Sequence, residues 1–237
     1  MENRKTQNIG RPPLISDHVL RAVLHLLREG CRWRALPSHR GRWNTIYRCW
    51  RRWVEAGLWT AILGRLARKP KGQLRFVDST FIKVHQAGQG AIGGSKDQAI
   101  GLTKGGHNSK LTAAVDEWGH VVALLRFPGQ CAETTAAKQL LPLVAKTMVF
   151  VGDKGFDSDE LRQLIEDNGG LACIPPRSNR TSHRWCDPEF YRKRHLVENI
   201  FQRIKYWGRV ATRYEKLAST FLAFSTLTSS IEYIRRQ

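Results

Sequence analysis

The chain has 237 residues, enough for one large domain or for a small and a medium one. Its hydrophobic fraction of 41% is ordinary for a soluble globular protein and argues against a disordered chain. The 39 Lys and Arg residues against 20 Asp and Glu give a formal charge of +19. Such a charge predicts a polyanionic partner, nucleic acid first, although a merely basic soluble surface would give the same count.

The five cysteines argue against a zinc ribbon or a disulfide framework, because no two of them form a CxxC pair. Their pattern fits a reducing compartment. No secretory signal follows Met1, and no apolar run reaches membrane-spanning length. We therefore expect a cytoplasmic protein with no membrane partner.

The sequence pattern of residues 1–70 predicts a small helical domain. Ser16 is a candidate N-cap for a helix over 17–29, and two further helices are predicted over 42–56 and 58–69. Short helices with tight turns are compatible with a helix-turn-helix module. The first 75 residues carry a net charge of +13, so this part is the candidate DNA-binding domain.

The helix predicted over 42–56 has two different faces. Ile46, Trp50, Trp53 and Val54 fall on the inward face and are expected in the core. The outward positions include four arginines suited to contact with the DNA backbone: Arg42, Arg48, Arg51 and Arg52.

Residues 71–237 follow a polar break at 69–73 and show a strand-rich pattern. Strands are predicted over 74–85, 110–119, 120–127, 147–155 and 171–176. Helices are predicted over 133–145 and 157–169, and a loop over 86–110. Antiparallel strands followed by alternating strands and helices predict an α/β fold, a mixed sheet with flanking helices.

Two aspartates stand late in apolar runs. Asp78 lies in FVDST, and Asp153 ends MVFVGD. A carboxylate there is costly to bury unless it is paired or binds a metal. Two adjacent strands that bring both to one edge of a sheet would form an oxygen-lined site suited to Mg²⁺ or Mn²⁺. Each aspartate could instead cap the turn or helix that follows it, and the sequence leaves both interpretations open.

A third acid, Glu198, lies within the strongly basic stretch 191–205. In one helix, Tyr191, Arg194, Glu198 and Lys205 would share a face roughly 60° wide. Glu198 could then supply a third metal-binding carboxylate, with Arg194 and Lys205 holding DNA phosphates. It could also form no more than a surface ion pair with Arg194 at the i,i+4 spacing. The helix face does not decide between the two.

These motifs, in this order, resemble the DDE-superfamily transposases of bacterial insertion sequences, of the insertion-sequence-five type. The Tyr, Arg, Glu and Lys just named match that family's signature at every spacing. The stretch DKGFD at 153–157 matches its second acidic motif, and Asp78 with Ser79 matches its first. The segments GCRWRALP, DQAIGLTKGGHNSKL and GRVATRYEKLASTFLAF are similar to further stretches of these proteins, so the resemblance covers nearly the whole chain.

The resemblance implies a ribonuclease-H-like catalytic domain over 71–237 in which Asp78, Asp153 and Glu198 bind two divalent ions, Mg²⁺ or Mn²⁺. One ion would activate water to attack a DNA phosphodiester and the other would stabilise the leaving 3′ oxygen; the freed 3′-OH would then attack target DNA. The implied partner is double-stranded DNA, both the terminal inverted repeats of the element and the target. Because two ends must be held together, a homodimer on DNA is also implied.

Two other functions remain compatible with the sequence. A helix-turn-helix DNA-binding protein, or a domesticated transposase without catalysis, would bind DNA but would have no need of three acids with basic neighbours. A ribonuclease-H-like nuclease would cut DNA without joining it, and only its products would distinguish it from a transposase.

Overall fold

The structure, a computed structural model, describes residues 17–70, 72–144, 149–180 and 184–236. The helices are α1 (Asp17–Glu29), α2 (Trp43–Glu55), α3 (Leu58–Leu66), α4 (Gly94–Asp97), α5 (Glu133–Leu140), α6 (Asp159–Asp167), α7 (Pro188–Arg192), α8 (His195–Lys205), α9 (Gly208–Ala211) and α10 (Ala218–Ile234). The strands are β1 (Leu74–Val84), β2 (Gly101–Thr103), β3 (Gly106–Val115), β4 (Val121–Pro128), β5 (Val149–Val151), β6 (Leu171–Cys173) and β7 (Thr212–Arg213). None of the helices in these ranges combines the length and the apolar character that a bilayer requires.

All seven strands belong to one mixed sheet. Its central strand, β1, pairs antiparallel with β3 and parallel with β5, and β6 continues the sheet in parallel beyond β5. On the other side, β3 pairs antiparallel with both β2 and β4. The short strand β7 pairs in parallel with the end of β1. An antiparallel unit followed by parallel strands confirms the predicted mixed α/β sheet.

Side chains of β1 alternate between two hydrophobic layers, one on each face of the sheet. Phe76 and Ile82 join the layer formed with α8, α10 and the N-terminal helices. Val77 joins the other layer, formed with α5 and α6. By the same alternation Asp78 faces the α8 side of the sheet and Ser79 faces the α5 side.

The N-terminal helices share a hydrophobic core with the sheet. Trp50 of α2 stacks on Phe224 of α10 with the ring centroids 4.2 Å apart, and buried residues of α1, α2 and α3 belong to the same cluster as Phe76. The buried guanidinium of Arg209 lies over the rings of both Trp33 and Phe224, which ties α9 to the same core. The division into two domains at residue 70 stays a prediction, and the described parts on either side of it are packed together.

Helix α10 is largely buried although it is rich in Ser and Thr. Its hydroxyls donate to carbonyls one turn earlier, from Ser225 to Phe221, from Thr228 to Phe224 and from Ser229 to Ser225. The helix thereby satisfies its own buried hydroxyl groups. The sequence pattern did not predict α10, because these polar residues interrupt its apolar positions.

Most predicted elements are observed, with shifted ends. Helix α1 covers its predicted range, and α5 passes into a 3₁₀ turn at Leu141–Leu143. The loop predicted over 86–110 was wrong in part, because it contains α4, β2 and the start of β3. Ser16, the predicted N-cap, and residue 71 of the polar break lie outside the described residues.

Candidate active site

Asp78 and Asp153 come from neighbouring parallel strands. The register of β1 and β5 sets Phe76 opposite Val151, and each aspartate follows two residues later. Asp78 lies inside β1, which continues to Val84 through its pairing with β3, in agreement with the strand predicted over 74–85. The two carboxylates therefore stand where β5 ends and β1 continues.

Asp153 makes the hydrogen bond that the capping interpretation predicted, whereas Asp78 lies inside a strand and caps neither a turn nor a helix. Asp153 Oδ1 accepts a hydrogen bond from the amide of Gly155 at 2.7 Å, which stabilises the 3₁₀ turn after β5. Asp78 Oδ1 accepts one from the amide of Ser79 at 2.8 Å. One oxygen of each carboxylate is used in this way, and Asp78 Oδ2 makes a contact of a different kind.

Arg194 links Asp78 to Glu198. Its guanidinium donates to Asp78 Oδ2 at 2.9 Å and also to Glu198 Oε1, one turn along the chain. Arg194 and Asp78 are 116 residues apart in sequence, so the tertiary fold makes this contact. The ion pair between Arg194 and Glu198 that the sequence suggested is present. The same guanidinium also forms an ion pair with Asp78 of β1.

The single helix that would place the four signature residues on one face is broken. Helix α7 ends and α8 begins on either side of a turn at Lys193 and Arg194, so Tyr191 belongs to a separate short helix. The ring of Tyr191 still lies beside the guanidinium of Arg194, with 5.7 Å from the ring centroid to Cζ. The break turns Arg194 toward the sheet, where it meets Asp78.

The remaining predicted DNA contacts lie away from the carboxylates. Lys205 ends α8, seven residues or about 10 Å along the helix axis from Glu198, and burial lowers its pKa. Arg42, which precedes α2, and Arg48 and Arg52 of α2 are exposed. Arg51 is partly buried and donates to Glu55 Oε1 at 2.7 Å.

Asp78 has a strongly shifted protonation equilibrium. Its pKa is raised to about 6, chiefly by burial, and the carboxylates of Asp153 and Glu133 also raise it. The amide of Ser79 and the charge of Arg194 act in the opposite direction. Carboxylates that raise the pKa of a neighbouring carboxyl group create an electrostatic repulsion that a bound divalent cation relieves.

The three predicted carboxylates have the oxygen chemistry that Mg²⁺ and Mn²⁺ prefer. Within the described ranges, no group of three or more acidic, His or Cys side chains is arranged to hold a metal ion. The guanidinium of Arg194 lies between Asp78 and Glu198, so a cation held by both would take its place. The donor set fits a divalent ion, and the number of ions stays a prediction.

Glu133 is the residue near this site that sequence reasoning missed. It begins α5, where an acid is ordinarily explained by the helix dipole, and the predicted helix there gave no reason to look further. Its influence on the pKa of Asp78 shows that its charge lies close to the site. The sequence feature that could have indicated Glu133 is its position at the start of a helix, directly after the loop that follows β4.

Comparison with known proteins supports one family. A model described as the transposase DDE domain matches residues 69–231, and one described as a transposase of the IS4/5 family matches residues 1–63. A Brucella ovis protein described as a transposase for insertion sequence element IS6501 is 30% identical over 128 residues, covering 54% of this chain and 98% of that protein. An uncharacterised 16.2 kDa protein of insertion element IS402 from Burkholderia cepacia is 36% identical over 95 residues, covering 36% of this chain and 64% of that protein.

A solved structure agrees at the level of the fold. The piggyBac transposase, in a synaptic complex with hairpin DNA, superposes with a TM-score of 0.58 at 11% identity, covering 98% of this chain and 69% of that one. The mixed sheet with flanking helices is thus ribonuclease-H-like. With the family model matching most of the chain, we conclude that this protein belongs to the DDE transposases of bacterial insertion sequences, a family of metal-dependent DNA-processing enzymes.

Proposed function

We propose that this transposase cleaves DNA at the ends of its insertion sequence and joins the freed 3′-OH to target DNA. The observation that carries the proposal is the contact of Arg194 with both Asp78 and Glu198. That contact gathers acids from β1 and α8 on the face of the sheet beside Asp153. A protein that only binds DNA has no physical reason to bring three acids and a guanidinium together in this way.

Asp78, Asp153 and Glu198 would hold the divalent cations, which supply Lewis-acid activation of the attacking and leaving oxygens when bound. The chain's own contribution is to orient these groups. The pairing of β1 with β5 fixes the spacing of the two aspartates, and Arg194 links Glu198 of α8 to Asp78. Arg194, whose planar guanidinium also suits phosphate, would exchange its carboxylate partners for a DNA phosphate.

Replacement of Arg194 by Gln is expected to have opposite effects on metal binding and on cleavage. The variant should bind Mn²⁺ several-fold more tightly, because the guanidinium no longer competes with the cation for the carboxylates of Asp78 and Glu198. Cleavage should nevertheless be slower, because the phosphate contact is lost. Mn²⁺ titration would measure the affinity, and single-turnover cleavage by the same preparation would measure the rate. Weaker Mn²⁺ binding by the variant would contradict the idea that Arg194 competes with the cation for the carboxylates.

The exposed arginines of α2 are proposed to contact the DNA backbone. Replacing Arg48 and Arg52 by Gln should lower the slope of log K against log salt concentration by about 1.8, since each phosphate contact contributes about 0.9. Arg51→Gln is a matched control on the same helix, because Glu55 already engages that guanidinium. A slope that falls as much for Arg51→Gln as for either exposed arginine would argue against this surface.

The direct test uses a labelled duplex carrying the DNA that flanks the gene, together with a plasmid target and Mg²⁺ or Mn²⁺. Metal-dependent nicking at the element end, followed by label joined to the plasmid, is the expected result. Nicks without joined product would indicate a nuclease, and binding without any product would indicate a DNA-binding regulator. Sedimentation of the protein with one or two DNA ends would test the proposed homodimer.

A further inference from the structure

A second polar cluster lies directly behind the aspartates, on the opposite face of the sheet. Ser79 follows Asp78 on β1 and points toward α5, where Glu133 begins the helix. The register of β1 and β3 sets Thr112 opposite Ser79, and Lys110 lies two residues away on the same face. The four side chains of Ser79, Lys110, Thr112 and Glu133 are called the rear cluster below.

Glu133 is the centre of the rear cluster. Its Oε2 accepts a hydrogen bond from Ser79 Oγ at 2.5 Å, and its Oε1 accepts one from Lys110 Nζ at 2.7 Å. Ser79 Oγ is also 2.9 Å from Thr112 Oγ1, and Lys110 Nζ donates to the carbonyl of Cys131 at 2.5 Å. One carboxylate therefore connects β1, β3 and α5.

Lys110 is buried, so the stability of the fold depends on its ion pair with Glu133. The Lys110 side chain is 4% exposed and that of Glu133 is 26% exposed. A buried ammonium that loses its carboxylate partner is strongly unfavourable, so the pair must keep its geometry for the sheet to stay intact. The ring of Phe81 lies 5.1 Å from Nζ and gives Lys110 a second favourable contact.

The same side chain packs against the turn that carries Asp153. Gly155, whose amide donates to Asp153 Oδ1, is a neighbour of Glu133: a Cβ added to Gly155 would lie at ordinary contact distance, 3.5 Å, from Glu133 Cγ. The side chain of Glu133 thus lies beside the turn that carries Asp153, and its carboxylate accepts a hydrogen bond from Ser79, the residue that follows Asp78. Ser79 is the residue whose amide orients Asp78 Oδ1.

We propose that Glu133 is a positioning residue of the active site, which fixes Asp78 through Ser79 and Asp153 through Gly155. This inference rests on the proposed metal-binding role of the two aspartates. Glu133 itself is not assigned as a ligand, because both of its oxygens are engaged on the far face of the sheet. Groups that orient metal ligands typically change metal affinity 10–100-fold when they are lost.

Glu133→Gln is therefore expected to weaken Mn²⁺ binding by at least about tenfold while leaving DNA affinity unchanged. Mn²⁺ binding would be measured by calorimetry or by the signal of the free ion in electron paramagnetic resonance. Ser79→Ala should weaken binding in the same direction. The double variant should lose less than the sum of the two, because both substitutions alter the same Ser79–Glu133 hydrogen bond.

A second pair of variants separates positioning from stability. Glu133→Gln leaves Lys110 buried without its anionic partner, so the protein should also lose thermal stability. Adding Lys110→Met removes that unpaired charge, and stability should largely return while Mn²⁺ binding stays weak. Leu140→Ala, a fully buried residue of the same helix, is the stability control: it should lower Tm without changing Mn²⁺ affinity.

The outcomes distinguish this inference from the proposed function. If the wild-type protein binds no Mn²⁺, or if Asp153→Asn binds it as well as the wild type, the metal-site assignment itself fails. If Asp153→Asn loses binding but Glu133→Gln keeps the wild-type affinity, only the positioning role of Glu133 is overturned. Recovery of Mn²⁺ affinity together with stability in the Lys110→Met, Glu133→Gln variant would also overturn it.

Discussion

Glu198→Gln and Asp153→Asn are each expected to slow DNA cleavage by more than about a thousandfold, a loss of roughly 4 kcal/mol of transition-state stabilisation. Each substitution keeps the size of the side chain but removes the negative charge that a divalent cation requires. Glu198 is 46% exposed and Asp153 lies in a turn, so neither substitution should unfold the protein. DNA affinity should be unchanged, because the basic N-terminal part of the chain is untouched. Single-turnover cleavage of an end-labelled duplex would measure the loss.

Glu189→Gln is the matched control for Glu198→Gln. Glu189 is an exposed acid on the neighbouring helix α7 and makes no part of the arrangement around Arg194. Its replacement should leave cleavage within about twofold of the wild type. Cleavage by Asp153→Asn or Glu198→Gln at the rate of the Glu189 variant would remove that residue from the catalytic set.

Asp157→Asn is expected to lower the free energy of unfolding by about 3–5 kcal/mol, the usual result of breaking a buried ion pair from one side. The side chain of Asp157 is fully buried; its carboxylate bonds to Arg162 of α6 at 3.0 Å and to Arg180 at 2.6 Å. It also accepts a hydrogen bond from the amide of Arg177 at 2.9 Å. Asparagine would leave the buried guanidinium of Arg162 without its anionic partner. The corresponding fall in Tm is roughly 6–20 °C for a chain of this length.

The acid two residues later provides a control, because Asp159 is 68% exposed although it also bonds to Arg180. Asp159→Asn should change the free energy of unfolding by no more than about 1 kcal/mol. A similar fall in Tm for both variants would show that burial of Asp157 is not the cause.

The effect of Asp157→Asn should depend on pH. Burial by itself raises the pKa of Asp157, but its bonds to Arg177, Arg162 and Arg180 outweigh burial and lower it. A lowered native pKa means that the carboxylate stabilises the fold above its unfolded pKa of about 3.9, and that this stabilisation is lost as the pH falls through the native value. The difference in Tm between wild type and variant should therefore be constant near neutral pH and narrow below about pH 4.

Local patterns were sufficient to predict much of this molecule. The apolar spacing of residues 17–29 predicted α1 and its C-terminal end at Glu29, and the apolar runs before Asp78 and Asp153 predicted strands that are indeed neighbours. The order of the acidic motifs predicted the family. Each of these features depends on residues that are close to one another in sequence.

Features that depend on distant residues could not be predicted in the same way. The break between α7 and α8 accompanies a contact of Arg194 with Asp78, which no local pattern contains. The importance of Glu133 depends on Lys110, 23 residues earlier, lying buried beside it. The burial of α10 depends on its packing against the N-terminal helices.

The stacking of Trp50 on Phe224 bears on the spacing between the proposed DNA contacts of α2 and the carboxylates. Because α2 packs in the same core as α10 and the sheet, we expect the arginines on its outer face to keep a constant position relative to Asp78. DNA bound by α2 would then reach the carboxylates at a constant distance along the duplex from the α2 contacts. Inserting a few base pairs between the gripped sequence and the scissile phosphate would move that phosphate out of register by about 3.4 Å per base pair and rotate it around the helix axis. Under the proposed binding mode, the permitted spacing within the terminal repeat would follow from the packing of α2 against α10 in the protein core.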